Sequence, residues 1–145
     1  MREFLFRGKN EAGVWHYGAY LPYESGEVAI LESFSKYGYE AVELSQRYKV
    51  IPETVGQYTG LTDKNGKKIF EGDIVKAECD LYHGENKKER VTHIGTVIYD
   101  KKFCQFGINV AGFSKCYVLN RWKGDYNEVI GNIHDSPELL KGGAE

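Results

Sequence analysis

The segment Leu61-Thr62-Asp63-Lys64-Asn65-Gly66-Lys67-Lys68-Ile69-Phe70 constrains this chain more than any other stretch. Apolar and β-branched residues flank a polar centre ending in Asn-Gly, which is a β-hairpin signature. A two-residue type I′ loop on Asn65-Gly66 would set Lys64 directly opposite Lys67, an unfavourable like-charge pair. A type I turn over Asp63 to Gly66 avoids that repulsion. It puts Asp at the first position and Gly at the fourth, as that turn prefers, with Gly66 as a left-handed bulge residue. Leu61 then lies across from Ile69.

The rest of the chain is consistent with sheet. Eleven Tyr, seven Phe, two Trp and seventeen Gly in 145 residues describe a β-rich protein with many turns. That length suits one domain, 1–145, with two lobes expected at 1–49 and 50–145. The net charge of −2 gives no global attraction to nucleic acid or an anionic membrane. No apolar run approaches the ~20 residues of a membrane-spanning helix. The start, MREFLFRGKN, lacks the apolar core of a secretion signal. Three cysteines, Cys79, Cys104 and Cys116, are an odd number without close spacing, which argues against a disulfide framework and for a reducing cytoplasm.

Along the chain, Phe4–Arg7 is expected as a first strand, with turns at Arg7–Asn10 and Asn10–Gly13. Val14–Leu21 and Glu27–Leu31 continue a meander around Pro22 and Ser25-Gly26. Between residues 32 and 49 the periodicity allows a strand at Tyr39–Leu44 or helical spacing of Ala41, Leu44 and Tyr48; strand or irregular structure is preferred. Thr54–Tyr58 is expected as a short strand bulged at Gly56. Gly72-Asp73 is expected to open a strand as in SH3-like barrels, and the charged run Asp80–Arg90 reads as an exposed loop. His93–Tyr99 and Phe103–Val110 form a hairpin around Asp100-Lys101-Lys102, followed by strands at Ser114–Trp122 and Asn127–Ile133. Pro137–Leu140 is one helical turn behind an Asp135-Ser136 cap, with a frayed tail. Glu53–Tyr58 and Glu128–Ile133 share a Glu-x-apolar-Gly-amide-apolar pattern, which suggests two bulged strands lying near each other.

Candidate chemistry is sparse. Cys79, His83, Cys104 and Cys116 do not reproduce the paired spacing of a zinc site, and Asp63-x-Asn65-Gly66 continues into Lys67 where a calcium loop needs another oxygen. Neither a metal nor another cofactor is expected. The four histidines (16, 83, 93 and 134) lie in no recognised nucleophile setting, and there is no phosphate or dinucleotide loop. Glu53, Glu71, Asp73 and Glu128 are candidate acids, each expected as a solvated carboxylate at a turn or strand end. No catalytic residue and no enzyme is expected. Three basic clusters offer a nucleic-acid alternative: Lys64/Lys67/Lys68, Lys87/Lys88/Arg90 and Lys101/Lys102. Trp15, Tyr17, Tyr58, Tyr99 and Trp122 would stack on bases if exposed. Against this, lysines on hairpin tips keep sheets soluble, aromatics fill cores, and Asp63, Glu85, Glu89 and Asp100 dilute the clusters.

One long stretch carries a family resemblance. The unbroken run from Ile51-Pro52-Glu53-Thr54-Val55-Gly56-Gln57-Tyr58-Thr59-Gly60-Leu61 through Gly66-Lys67-Lys68-Ile69-Phe70 to Glu71-Gly72-Asp73-Ile74-Val75 resembles the central signature of the YopX family of phage and prophage proteins from Gram-positive bacteria. Phe6-Arg7-Gly8-Lys9 and Gly13–Gly18 are similar to its opening, and Glu128–Ile133 with Pro137–Leu140 to its close. Glu53, Gly56, Gln57, Gly60, Asn65, Gly66, Gly72 and Asp73 are the signature positions. Residues 23–49 and 80–93 depart from the pattern. The resemblance implies a mainly β protein in the host cytoplasm, with no activity assigned to the family and no catalytic residues to carry over. The expected fold is a small β-barrel or sandwich with an SH3-like C-terminal part. The expected role is a non-catalytic accessory protein that binds a protein partner or itself.

Overall fold

In the computed structural model, residues 3–33, 45–83, 87–111, 117–118 and 127–144 are described. Contacts divide the chain into two compact units, 1–58 and 59–145. The described elements are antiparallel strands, two 3-10 segments and turns, so the mainly β expectation holds.

The first unit holds β1 (Phe6–Lys9), β2 (Trp15–Pro22), β3 (Val28–Ser33), β4 (Ser45–Val50), a 3-10 turn at Pro52–Thr54 and the start of β5 (Gly56–Thr62). Its strand order is β4-β3-β2-β1-β5. The expected meander is present, shifted by one or two residues, but Arg7–Asn10 is not a turn. Arg7 and Lys9 belong to β1, where they lie across from Tyr17 and Trp15, and the chain reverses after Asn10 instead. Likewise Thr54 ends a 3-10 turn rather than beginning a strand, because Pro52 favours the first turn of a helix. The strand alternative for 32–49 is met at Ser33 and at Ser45–Val50, whereas Tyr39–Leu44 lies outside the described residues. Val28, Ile30 and Val50 form the core, with Phe6 and Val55 packed against it. Ile51 N–H donates to the Lys9 carbonyl at 2.8 Å, and Thr54 Oγ1 accepts from Lys9 N–H at 2.9 Å, bringing the end of β4 back to β1.

The second unit holds the rest of β5, β6 (Lys68–Phe70), β7 (Asp73–His83), β8 (Lys87–Asp100), β9 (Gln105–Val110), β10 (Tyr117–Val118), β11 (Asn127–Asn132) and a 3-10 segment at Pro137–Ala144. Five strands form a sheet in the order β10-β9-β8-β7-β11. Asp80–His83 and Lys87–Arg90 are strand rather than the expected loop. β7 and β8 stay in register from Ile74↔Thr96 out to His83↔Lys87, so the described parts of the charged run are paired strand. The final 3-10 segment reaches Ala144, past the single turn expected. Of the expected strand at Ser114–Trp122, Tyr117–Val118 is described, and the turn at Lys123–Asp125 lies outside the described residues. Glu53–Tyr58 and Glu128–Ile133 do not pair: Gly56 and Gln57 lie across from Arg7 and Phe6, while β11 pairs with β7. The echoed bulge is present in β11 between Val129 and Gly131. Ile69, Val75, Ala77, Val97, Ile108 and Val110 form the core here, with Leu61, Phe106 and Val129 against it.

One turn design recurs three times. Asn10, Tyr23 and Asp63 each donate an N–H to the carbonyl of the residue four positions on and accept from the Gly three positions on. Gly13, Gly26 and Gly66 have φ of 83, 86 and 79°. The type I plus bulge assignment at Asp63–Gly66 is therefore correct, and the Asp63–Lys67 closing pair sets Leu61 across from Ile69. Between β8 and β9 the left-handed position falls to Cys104, at φ 51°. A left-handed non-glycine costs about 1–2 kcal/mol, and glycine gives back part of that in unfolded-state entropy. We expect Cys104→Gly to raise stability by roughly 0.5–1 kcal/mol and Gly66→Ala to lower it by about 1–2 kcal/mol, both read from urea midpoints.

Candidate functional site

Asp63 and several signature positions make the turns of this stretch. Asp63 is buried at 6% exposure, and its carboxylate accepts three backbone N–H donors: Asn65 at 2.8 Å, Lys67 at 2.9 Å and Val129 at 3.0 Å. The first two close the β5–β6 turn on itself; the third ties that turn to β11. Lys64 N–H adds a bond to the Asn127 carbonyl at 2.9 Å. Burial opposes ionisation of Asp63, but the N–H groups of Val129, Lys67 and Asn65, with the charge of Lys67, outweigh it and hold the carboxyl below its usual range. Gly60, with φ 87°, bulges β5, and Thr59 Oγ1 fills the gap by donating to the Ile69 carbonyl at 2.9 Å and accepting from Leu61 N–H at 3.2 Å. Gly72, with φ 85°, donates to the Val97 carbonyl and accepts from Ile133 N–H, both at 2.9 Å.

The candidate acids separate by environment. Glu53 is exposed on its 3-10 turn, and Glu128 forms an ion pair with Lys64 at 2.6 Å. Asp73 is not a solvated carboxylate. It is 1% exposed and accepts the Phe70 N–H at 2.8 Å, closing the turn into β7. Of the histidines, His16 is the most organised. Asn10 Oδ1 accepts the Val14 N–H at 2.9 Å, which turns the amide nitrogen toward His16 Nε2 at 3.2 Å. Nε2 is then the acceptor, so Nδ1 carries the proton and donates to Glu32 Oε1 at 3.1 Å. The ring stacks on Tyr48 at 3.9 Å. With both nitrogens engaged and 8% exposure, His16 has the surroundings of a structural histidine rather than a general base. Cys104 is exposed, and among the described residues no group of His, Cys, Asp and Glu is arranged to hold a metal.

The basic clusters occupy separate places in the second unit. Lys67 is exposed and Lys68 half-buried beside the Asp63 turn, with Lys64 paired to Glu128. Lys87, Lys88 and Arg90 lie at the start of β8, where Arg90 pairs with Glu78 at 3.6 Å. Lys101 and Lys102 lie past its other end, with Lys102 over the Phe103 ring at 5.4 Å. At the usual strand rise, Lys87 and Lys101 are about 45 Å apart along β8. These two clusters therefore do not form one patch. Among the aromatics, Tyr58 is buried, Tyr99 is half-exposed against Phe106, and Trp122 lies outside the described residues. Trp15 lies under Arg7, 4.8 Å from its ring centroid, and Tyr17 is 46% exposed.

A feature not singled out from the sequence is the outer face of the first unit. Pairing sets two rows across three strands, Ala19–Leu31–Arg47 and Leu21–Ala29–Lys49. The intervening rows, Tyr20–Ile30–Tyr48 and Pro22–Val28–Val50, carry the core residues. The outer rows thus combine an aliphatic centre with a cationic rim on β4. Antiparallel strands with one solvated face alternate apolar and polar residues, whereas β3 reads Val28-Ala29-Ile30-Leu31 without interruption. That four-residue run was the signal available in the sequence. Exposed Tyr17, Tyr20, Tyr23 and Val14 lie along β2 and its turns.

Replacing Asp63 by Asn turns one acceptor into a donor facing an N–H, which leaves a buried group unpaired. The expected cost is about 1–3 kcal/mol. Since the folded-state value of Asp63 is depressed, its contribution is complete above the unfolded-state value of about 3.9 and is lost as pH falls through the lower folded-state value. The gap in urea midpoint between the wild type and Asp63→Asn should therefore be full near pH 6 and narrow as pH falls below the unfolded-state value. A gap independent of pH would contradict this account.

The model of the YopX protein family matches residues 5–141. No curated protein matches the chain. Among solved structures, it is similar to the crystal structure of protein EF1440 from Enterococcus faecalis, at 24% identity and a TM-score of 0.53, over 97% of this chain and 99% of that one. That similarity extends the fold over the whole length of both proteins. With the family match running almost end to end, the chain belongs to the YopX family.

Proposed function

We infer that this is a non-catalytic accessory protein of a phage or prophage, working in the host cytoplasm by binding a protein partner. The observation that carries this is the doubly apolar β3. Strands β2, β3 and β4 bury one apolar face in the first unit's core and carry a second set of aliphatic residues on the other side, where Ala19 is exposed, Leu21 and Leu31 are half-buried and Ala29 is buried. An apolar surface with a charged rim is the composition of a protein interface. The titratable groups support the same conclusion. His16 and Asp73 have hydrogen-bond partners that stabilise the fold, and Gly66 and Gly72 serve turns. No helix among the described residues is long and apolar enough to cross a membrane.

The test is capture from a lysate of host cells carrying the phage, with wild type and Ala19→Arg compared side by side. Ala19 is exposed, so the substitution should leave the thermal midpoint within about 2 °C, since surface changes usually cost under 0.5 kcal/mol. We expect a partner retained by the wild type and lost by the variant. Capture of the same proteins by both, or of none by either, would refute partner binding through this face.

A further inference from the structure

We propose that β4 is the docking edge, and that it takes an extended acidic segment of the partner by strand addition. This rests on the partner-binding function just described and specifies the chemistry of its ligand. β4 ends the strand order of the first unit, so among the described residues the edge away from β3 carries no strand. A segment in extended conformation can continue the hydrogen-bond ladder there, with alternate side chains falling beside the outer rows.

Those rows select the side chains. Arg47 and Lys49 are both exposed and sit at alternate positions on β4, on the same face as Leu31 and Ala29. A strand added next to them places every second residue beside a cation, where a carboxylate is favoured and a lysine or arginine is repelled. A second copy of β4 would bring the same two cations against this pair. Self-pairing through this edge is therefore disfavoured, which is how charged edges normally prevent aggregation. The molecule already shows the favoured contact within itself. Glu27, on the turn before β3, pairs with Lys49 at 2.5 Å. Its hydrogen bond and charge hold the Glu27 carboxyl below its usual value and raise Lys49. An incoming carboxylate would replace or join Glu27.

Beside the edge there is room for an apolar anchor. Tyr23, Glu27, Val28, Ala29, Arg47 and Lys49 line an open depression of about 250 Å³. Its lining joins a tyrosine ring and two aliphatic residues to both edge cations, so it suits an apolar side chain flanked by acids. Single-stranded nucleic acid meets the cations equally well. It gains nothing from the aliphatic pairs Ala19–Leu31 and Leu21–Ala29, and Tyr23 is the one ring the depression offers a base to stack on.

The test selects a random 12-residue peptide library, displayed on filamentous phage, against the intact chain. The recovered peptides are then measured as synthetic peptides by fluorescence anisotropy, beside a twenty-residue oligothymidylate. We expect recovered peptides to be acidic with carboxylates at alternate positions and to bind Arg47→Ser/Lys49→Ser at least tenfold more weakly. They should also slow amide exchange at residues 46–50. Neutral or basic peptides, no recovered peptides, or binding unchanged in the double variant would overturn the acidic edge. So would oligothymidylate binding that the double variant abolishes. Partner binding itself stands or falls separately, on the Ala19→Arg capture. A lysate partner lost with Ala19→Arg but retained by the double variant would keep the face and remove the edge.

Discussion

The second unit depends on one carboxylate more than on any other polar group. Asp63 is nearly buried, yet ionisation is favoured because three backbone N–H groups converge on it. Two of those donors belong to its own turn and one to Val129, sixty-six residues away. A local turn preference is thereby converted into a long-range tie between β5–β6 and β11. Leu61, Ile69 and Val129 reach the same core from the elements this tie connects. A carboxylate that satisfies three donors contributes through charge-assisted bonds, and its loss leaves the donors exposed to the desolvation cost of burial.

The first unit rests on a different balance. Its core is small, with Val28, Ile30 and Val50 fully packed and Phe6 and Val55 at the margin. Polar bonds supplement it: Lys9, Ile51 and Thr54 tie β1 to the end of β4, and the Asn10–His16–Glu32 chain links β2 to β3. The aliphatic residues of β2 and β3 that this core does not use define the outer face, and the cations of β4 define its rim. A sheet that is apolar on both sides gains stability only when both sides are covered. The proposed partner would cover the outer side of that sheet.

Membership of the YopX family accounts for the signature without giving it chemistry. Gly60, Gly66 and Gly72 occupy left-handed backbone positions, and Asp63 and Asp73 accept backbone N–H groups at the turns those glycines form. The longest motif in the chain therefore records how the fold is closed. The face proposed to bind a partner lies in residues 19–49, outside that motif.

Much of the architecture was legible in the residues alone. Turns were the clearest, because a left-handed fourth position favours glycine whatever the surroundings: Gly13, Gly26 and Gly66 mark three reversals of one kind. Strand character followed from β-branched and aromatic runs, including the Gly72-Asp73 opening of β7. What local sequence could not supply was pairing over distance. The charged segment Asp80–Arg90 reads as a loop until ten consecutive pairs between β7 and β8 place Asp80–His83 and Lys87–Arg90 in strands. Asp73 looks solvated until its surroundings bury it, and two similar hexapeptides look adjacent until each is seen paired with a different strand. The same holds for the candidate site. Arg47 and Lys49 are ordinary surface cations in sequence, and only cross-strand register places them in line with Leu31 and Ala29. Turn geometry is set by sterics within four residues, whereas burial and register are set by which distant strand supplies the neighbouring hydrogen bonds.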